Sequence, residues 1–372
     1  MIPLVDLVAQ YNSIKPEIDA AIQNVLTSGK FILGPQEKAF EQEIAEYLGV
    51  KHAIGVASGT DALIIALRAI GVGPNDEVIV PAYSFFATAG AVLSVGAKPV
   101  FVDIHPDTYN IDAALIEDVI TKQTKAIIPV HLYGLPADMD EILAIAQKHN
   151  LMVIEDNAQA FGAKYKGKHT GAIGDLGCLS FFPSKNLGGY GDGGMVTTND
   201  DNLAELVRML RTHGWKKKYF PEILGYNSRL DEIQAAILRV KLKYVDQWNK
   251  ARWEIAQIYS RSINGIEITT PSEIINRSHV YHLYVICLKN RNEYISFLKN
   301  KGITTEIYYP QPLFLAKPCL IENNIIREFP ITSRVTHESL ALPLYPEIPA
   351  NRIIDVINAI NGCLGTKKLL IE

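Results

Sequence analysis

Cysteine is scarce. Cys178, Cys287, Cys319 and Cys363 are the only four among 372 residues, and no two form a C-x-x-C pair. Such scatter excludes a disulfide framework and gives no ligand spacing for structural zinc, so reduced, buried or half-buried thiols are expected. No apolar run approaches the ~20 residues that a membrane span needs. The start, Met1-Ile2-Pro3-Leu4-Val5-Asp6, has no basic segment followed by an apolar stretch, so no secretory signal is read and a cytoplasmic location is expected. On that reading the sequon Asn276-Arg277-Ser278 is a chance match. Neither charge sign dominates: 36 Lys and Arg stand against 40 Asp and Glu, a net charge of −4. That balance supplies no electrostatic footprint for nucleic acid or an anionic membrane. Internal repeats and low-complexity tracts are also missing.

What remains is an ordinary globular composition, 48% hydrophobic and 20% charged, in a chain long enough for two cores. Seven short apolar runs read as strands: Ala53–Ala57, Glu77–Pro81, Pro99–Asp103, Lys125–Val130, Leu151–Asp156, Gly177–Phe182 and Gly194–Thr198. Continuous apolar runs are the pattern of strands buried on both faces. Helical patterns at Thr60–Ile70, Ser84–Val95, Asp112–Ile120 and Asp138–His149 alternate with them, which predicts an α/β domain with a mostly parallel seven-stranded sheet. Amphipathic segments at Tyr11–Leu26 and Gln36–Leu48 precede the sheet. A long helical stretch at Arg229–Tyr259, interrupted around Asp246-Gln247, follows it. The strand-like run Val280–Leu288 and helices near Arg291–Lys301 and Asn351–Ile360 predict a second, smaller α+β domain. The expected division is 1–241 and 242–372.

Three stretches carry chemistry. Lys185 lies in Ser180-Phe181-Phe182-Pro183-Ser184-Lys185-Asn186-Leu187-Gly188-Gly189, an apolar glycine-rich turn poorly suited to a solvated ammonium. Desolvation favours the neutral amine that forms an imine. Ser58-Gly59-Thr60-Asp61 follows a strand and opens a helix, so its free N–H groups and positive dipole end suit a phosphate. A plain Ser58 N-cap explains the same residues, and the two readings are compatible. Asp156 ends an apolar strand, where ligands collect in open α/β sheets. Its neighbour Glu155 must face the other way. A carboxylate at Asp156 keeps a pyridine nitrogen protonated, with a helix cap as the bland alternative. Gln159 lies within reach of a ring oxygen, Ser180 offers a hydroxyl to the phosphate where a structural serine is the alternative, and an aromatic in Pro81-Ala82-Tyr83-Ser84-Phe85-Phe86 suits stacking on a planar ring as well as it suits the core. Phosphate turn, carboxylate and lysine together point to pyridoxal phosphate. The run Gly188-Gly189-Tyr190-Gly191-Asp192-Gly193-Gly194 lacks G-x-G-x-x-G spacing, which removes a dinucleotide reading.

In order and spacing, these stretches together with Ser28–Pro35 and Gly225–Ala236 resemble the DegT/StrS-type aminotransferases. Those enzymes act on nucleotide-linked keto sugars within the fold-type I pyridoxal phosphate group. The resemblance implies that Lys185 is the Schiff-base lysine and proton shuttle, Asp156 the partner of N1 and Gln159 that of O3′. By the same resemblance Phe85 stacks on the ring and Gly59, Thr60 and Ser180 hold the phosphate. It implies that Asn227 reaches that phosphate from a neighbouring subunit, hence a homodimer. It further implies glutamate as amino donor, with pyridoxamine phosphate as the cofactor's alternate form. Members with histidine at the lysine position dehydrate their sugars, so a retained lysine implies transamination. The stretch His213–Phe220 leading into Gly225–Asp231 looks most like the branch acting on dTDP-3-keto-6-deoxyhexoses. Lys218, Tyr219 and Arg229 are the candidate pyrophosphate contacts there, a solvated basic loop being the alternative. Tyr308 and Tyr309, in Thr305-Glu306-Ile307-Tyr308-Tyr309-Pro310, are candidate sugar contacts, Tyr308 standing where the family often has histidine. A 4-keto or UDP-linked sugar, a dehydratase, and a cofactor-binding regulatory protein are the other readings.

Overall fold

A computed structural model describes residues 1–265, 267–322 and 328–368. Seven strands build the main sheet: β1 (His52–Val56), β2 (Glu77–Pro81), β3 (Lys98–Val102), β4 (Thr124–Ile127), β5 (Met152–Asp156), β6 (Leu176–Ser180) and β7 (Gly194–Thr198). Their spatial order is β1-β7-β6-β5-β4-β2-β3. All run parallel except β7, which is antiparallel to both β1 and β6.

Alternation along the strands divides the core. Ile54, Val56, Cys178 and Val196 pack on one face with the helices α3 (Gly59–Ala69), α4 (Ala87–Ser94) and α6 (Asp201–Leu210). Ala53, Leu179 and Met195 pack on the other with α2 (Pro35–Leu48) and α7 (Glu232–Leu242). Successive strand residues face opposite ways, so apolar residues are needed at nearly every position, as the sequence shows. All four cysteines are buried as thiols.

Near the C-terminus, Ile268–Thr269, Tyr284–Leu288 and Ser339–Leu342 form a three-stranded antiparallel sheet. It packs against α8 (Val245–Ser262), α9 (Arg291–Asn300) and α12 (Ala350–Lys368), and α1 (Leu7–Ser28), α5 (Met139–His149), α10 (Lys317–Glu322) and α11 (Pro330–Glu338) complete the described α-helices. Ile2 and Val5 join this second cluster, and the Ile2 N–H donates to the Gly302 carbonyl at 2.7 Å.

The structure corrects several expected elements. Asp112–Ile120 forms two 3-10 turns, Ala113–Leu115 and Glu117–Val119, where the Asp112 side chain caps the first turn. The helix expected from Ser84 begins at Ala87. The long C-terminal helix breaks at Lys243-Tyr244, ahead of the expected Asp246-Gln247. Asp246 instead sits in the first turn of α8, where the dipole favours a carboxylate, and accepts a 2.6 Å hydrogen bond from the Tyr47 hydroxyl. The run at 280–288 is a strand only from Tyr284.

Strand register puts one glycine at a crowded point on the sheet rim. Gly194 of β7 faces both Val56 of β1 and Ser180 of β6, at the edge where those strands end. A Cβ on Gly194 would lie 2.3 Å from the Ser58 carbonyl carbon and oxygen, so only glycine lets the strand pass beneath the turn. Gly194→Ala is expected to destabilise the protein by about 1–3 kcal/mol through overpacking. Thermal melting of the variant checks this, and an unchanged Tm would show that the Ser58 turn moves freely.

Candidate active site

The carboxyl ends of β1, β5 and β6 open into a cavity of about 470 Å³, within the size range of small-molecule sites. At its first end, the Ser58 Oγ accepts from the Asp61 N–H at 3.1 Å and caps α3. The Gly59 and Thr60 N–H groups precede the first intrahelical bond and stay available to an anion. Ser228 pins the turn from beneath: its Oγ donates to Asp61 at 2.6 Å and accepts from the Ala57 N–H at 3.0 Å. Ser180 closes in from β6, so near that a Cβ on Gly59 would lie 2.6 Å from the Ser180 Cβ. The cradle therefore requires glycine.

Asp156 and Glu155 diverge as strand geometry requires. Asp156 lines the cavity, accepting from Thr88 Oγ1 at 2.8 Å and from the Ala158 N–H at 3.2 Å. Burial pushes its carboxyl up from the usual range, opposed by those two donors and by the charge of Lys185. Glu155 is fully buried on the opposite side. It accepts from the Gly171, Ile173 and Gly174 N–H groups at 2.7–2.8 Å and meets His131 Nε2 at 2.8 Å. Because His131 Nδ1 accepts from the Ala137 N–H, the imidazole proton lies on Nε2 and points at Glu155. Glu155 thus organises the 171–174 loop and leaves Asp156 to the cavity.

Lys185 reaches the same space from the turn after β6. Among the described residues its Nζ makes no hydrogen bond or ion pair. Burial pushes the amine down to about 8, with Asp156 opposing the shift. Gln159 is held at both ends, its Oε1 accepting from the Tyr133 N–H and its Nε2 donating to the Tyr309 hydroxyl, each at 2.8 Å. One Nε2 hydrogen remains for a ligand. Phe85 and Phe182 are exposed apolar walls, and Phe85 lies 5.9 Å from the Tyr309 ring. The Tyr308-Tyr309 segment is anchored by Tyr83: the Tyr309 N–H donates to its hydroxyl at 2.7 Å. The Tyr83 and Tyr133 hydroxyls both donate to the Tyr308 carbonyl.

One chain therefore brings together Gly59, Thr60, Phe85, Asp156, Gln159, Ser180, Lys185, Tyr308 and Tyr309. Asn227, Lys218, Tyr219 and Arg229 do not line this cavity. Asn227 is exposed and Arg229 half-buried before α7. Lys218 and Tyr219 lie in the exposed hairpin Trp215–Pro221, with the Lys218 ammonium 4.9 Å from the Tyr219 ring. Thr88, Arg252 and His282 were not found from sequence. Thr88 follows Ser84 by one helical turn, a usable signal, whereas Arg252 and His282 arrive from α8 and the C-terminal part without a local motif. These residues fit pyridoxal phosphate: a glycine cradle with free N–H groups, a buried carboxylate with a Thr88 support, and an unpartnered amine.

A lowered amine pKa means that Lys185 is neutral above about 8 and protonated below it. Trapping of pyridoxal phosphate at Lys185 by borohydride should therefore rise with pH around a midpoint near 8. Peptide mass mapping measures it, and a midpoint at 10.5, the ordinary lysine value, would mean a solvated amine. The two carboxylates should also separate. Glu155→Gln is expected to lose roughly 3 kcal/mol or more in denaturant unfolding, because a buried charged network is broken. Asp156→Asn should keep most stability and lose cofactor affinity.

A family model described as the DegT/DnrJ/EryC1/StrS aminotransferase family matches residues 12–361. The chain is 51% identical to a protein of Geobacillus stearothermophilus named "Pleiotropic regulatory protein", over 93% of this chain and 94% of that one. It is 47% identical to a UDP-N-acetyl-3-dehydro-alpha-D-glucosamine 3-aminotransferase of Acidithiobacillus ferrooxidans, over 98% of each. A dTDP-3-amino-3,6-dideoxy-alpha-D-galactopyranose transaminase of Aneurinibacillus thermoaerophilus is 44% identical, over 97% of this chain and 99% of that one. Among solved structures, Streptomyces venezuelae DesV in complex with a ketimine intermediate superposes with a TM-score of 0.95 at 43% identity, covering 97% of this chain and 98% of DesV. The sheet order and these neighbours define a fold-type I architecture, and the chain belongs to the DegT/DnrJ/EryC1/StrS aminotransferase family.

Proposed function

We propose that this sugar aminotransferase uses pyridoxal phosphate to move the amino group of glutamate to C3 of a nucleotide-linked keto sugar. The observation that carries the reading is Lys185: a desolvated amine with no hydrogen bond or ion pair among the described residues, in one cavity with the Asp156 carboxylate and a glycine-lined helix N-terminus. Gly59, Thr60 and Ser180 would hold the phosphate, Asp156 the pyridine nitrogen, Gln159 the ring oxygen and Phe85 the ring face. When bound, the cofactor supplies an electron sink for the carbon that loses a proton. Lys185 Nζ takes that proton from the donor's Cα and returns it on the opposite leg of the exchange, a role suited to an amine pKa near the working pH. Thr88 holds the Asp156 carboxylate in place, and the Phe85, Phe182 and Tyr309 rings limit water.

Relatives act at C3 on both UDP- and dTDP-linked sugars, and the 213–231 stretch supports the dTDP-3-keto-6-deoxyhexose choice by resemblance alone. A homodimer is part of the proposal. Asn227, Lys218, Tyr219 and Arg229 line no part of their own chain's cavity, while Phe31, Ile32, Leu33, Phe220 and Leu224 leave apolar surface exposed. A second copy covering that surface would deliver those residues to its neighbour. We also propose a division near residue 242 between the two cores, with Ile2 and Val5 lying against the C-terminal one.

The relative named as a regulatory protein keeps a second reading in play, a cofactor-binding regulator with this fold. Purified protein should absorb as a lysine-bound pyridoxal phosphate adduct and shift to the pyridoxamine phosphate spectrum on adding glutamate. A panel of 3-keto and 4-keto sugars on dTDP and UDP, read by product mass, identifies the acceptor and separates amination from loss of water. Absence of any glutamate-driven shift would favour the regulator.

A further inference from the structure

Arg252 of α8, His282 and Leu344 line the same cavity as the Ser58-Gly59-Thr60 turn and Lys185. Arg252 is 4% exposed. Its Nη1 donates to the Leu344 carbonyl at 3.0 Å, and its Nε is buried without a partner. Among the described residues Nη2 makes no hydrogen bond and no carboxylate pairs with the guanidinium. Glu347 acts on it electrostatically, yet its own Oε1 is also buried without a partner. Lys241 lies in the same electrostatic group but is engaged with the Gly188 carbonyl and the Tyr190 and Trp248 rings. His282 is 8% exposed with an unpartnered Nδ1, and it feels the charges of both Lys185 and Arg252. A buried guanidinium with donors to spare is costly unless an anion completes it, and its planar fork matches a carboxylate.

From this geometry we propose that Arg252, with His282 beside it, is a carboxylate subsite that seats the amino donor. The proposal rests on the amino-transfer reading above. A carboxylate held at Arg252 leaves the donor's amino end facing Lys185 in the same cavity, so the donor is an amino acid and a simple amine is excluded. The two phosphate-end elements, α3 and Ser180, remain free for the cofactor. Leu342, Leu344, Leu4 and Val5 add apolar lining to the same cavity, and apolar walls strengthen an ion pair by excluding water.

Arg252→Lys keeps the positive charge beside Glu347 and a donor for Leu344 while removing the planar fork. In the holoenzyme, glutarate is the probe: a dicarboxylate without an amine, followed by calorimetry. Wild type should bind it, and Arg252→Lys should weaken it about tenfold and raise the KM for glutamate similarly. The cofactor absorbance, the Tm and the KM for an aminated, carboxylate-free sugar in the reverse direction should hold. His282→Gln should weaken glutarate by a smaller factor and serves as the independent variant if Arg252→Lys fails to fold. Equal glutarate affinity in folded wild type and both variants would overturn the proposal. So would a KM rise confined to a nucleotide sugar bearing a C6 carboxylate, because the carboxylate would then belong to the acceptor. A protein without any cofactor band would instead remove the reading on which the proposal rests.

Discussion

Three parallel strands end at one edge of the sheet, and the site exists because they end together. β1 delivers the Ser58-Gly59-Thr60 turn, β5 delivers Asp156, and β6 delivers Ser180 and the turn to Lys185. Between β1 and β6 runs β7 in the opposite direction, beginning with Gly194 directly under the Ser58 carbonyl. The close approach holds the cradle against Ser180, which is itself packed on Gly59. The facing of Asp156 depends on that interleaving, since a shift of its strand by one residue would turn Asp156 into the core and Glu155 toward the cavity.

Burial then does opposite things to the two charged groups that face each other. It disfavours the charged form of both, lowering the Lys185 amine and raising the Asp156 carboxyl. The fold compensates the carboxylate locally, through Thr88 and the Ala158 N–H, whereas the amine makes no hydrogen bond among the described residues and is offset only by the Asp156 charge. The same logic sets Arg252 apart, because its guanidinium is buried with donors unused, whereas the buried Glu155 has every strong acceptor direction filled.

Much of this was legible in the residues. The seven apolar runs became seven strands because a sheet covered on both faces needs apolar side chains at consecutive positions. Ser58-Gly59-Thr60 read as a helix start because a hydroxyl followed by glycine suits an N-cap at a close approach. Asp112–Ile120 misled, since its apolar spacing suits a helix while Asp112 caps a tighter turn. The break between α7 and α8 falls at Lys243-Tyr244, ahead of Asp246-Gln247, because Asp246 at the first turn of α8 is stabilised by the dipole and by Tyr47.

The sequence by itself determined the local chemistry: the cradle, the lysine in its apolar turn, the carboxylate at a strand end, and the alternation that sets Asp156 against Glu155. Those are short-range facts, carried by residue type and by the two-residue and 3.6-residue periods. Tertiary structure alone decided which remote groups meet. Thr88 supports Asp156 across 68 positions, Tyr83 holds Tyr309 across 226, and Arg252 and His282 line the same cavity as Ser58. No local pattern encodes such meetings, because they arise from how whole layers pack, and packing depends on the summed shape of the core.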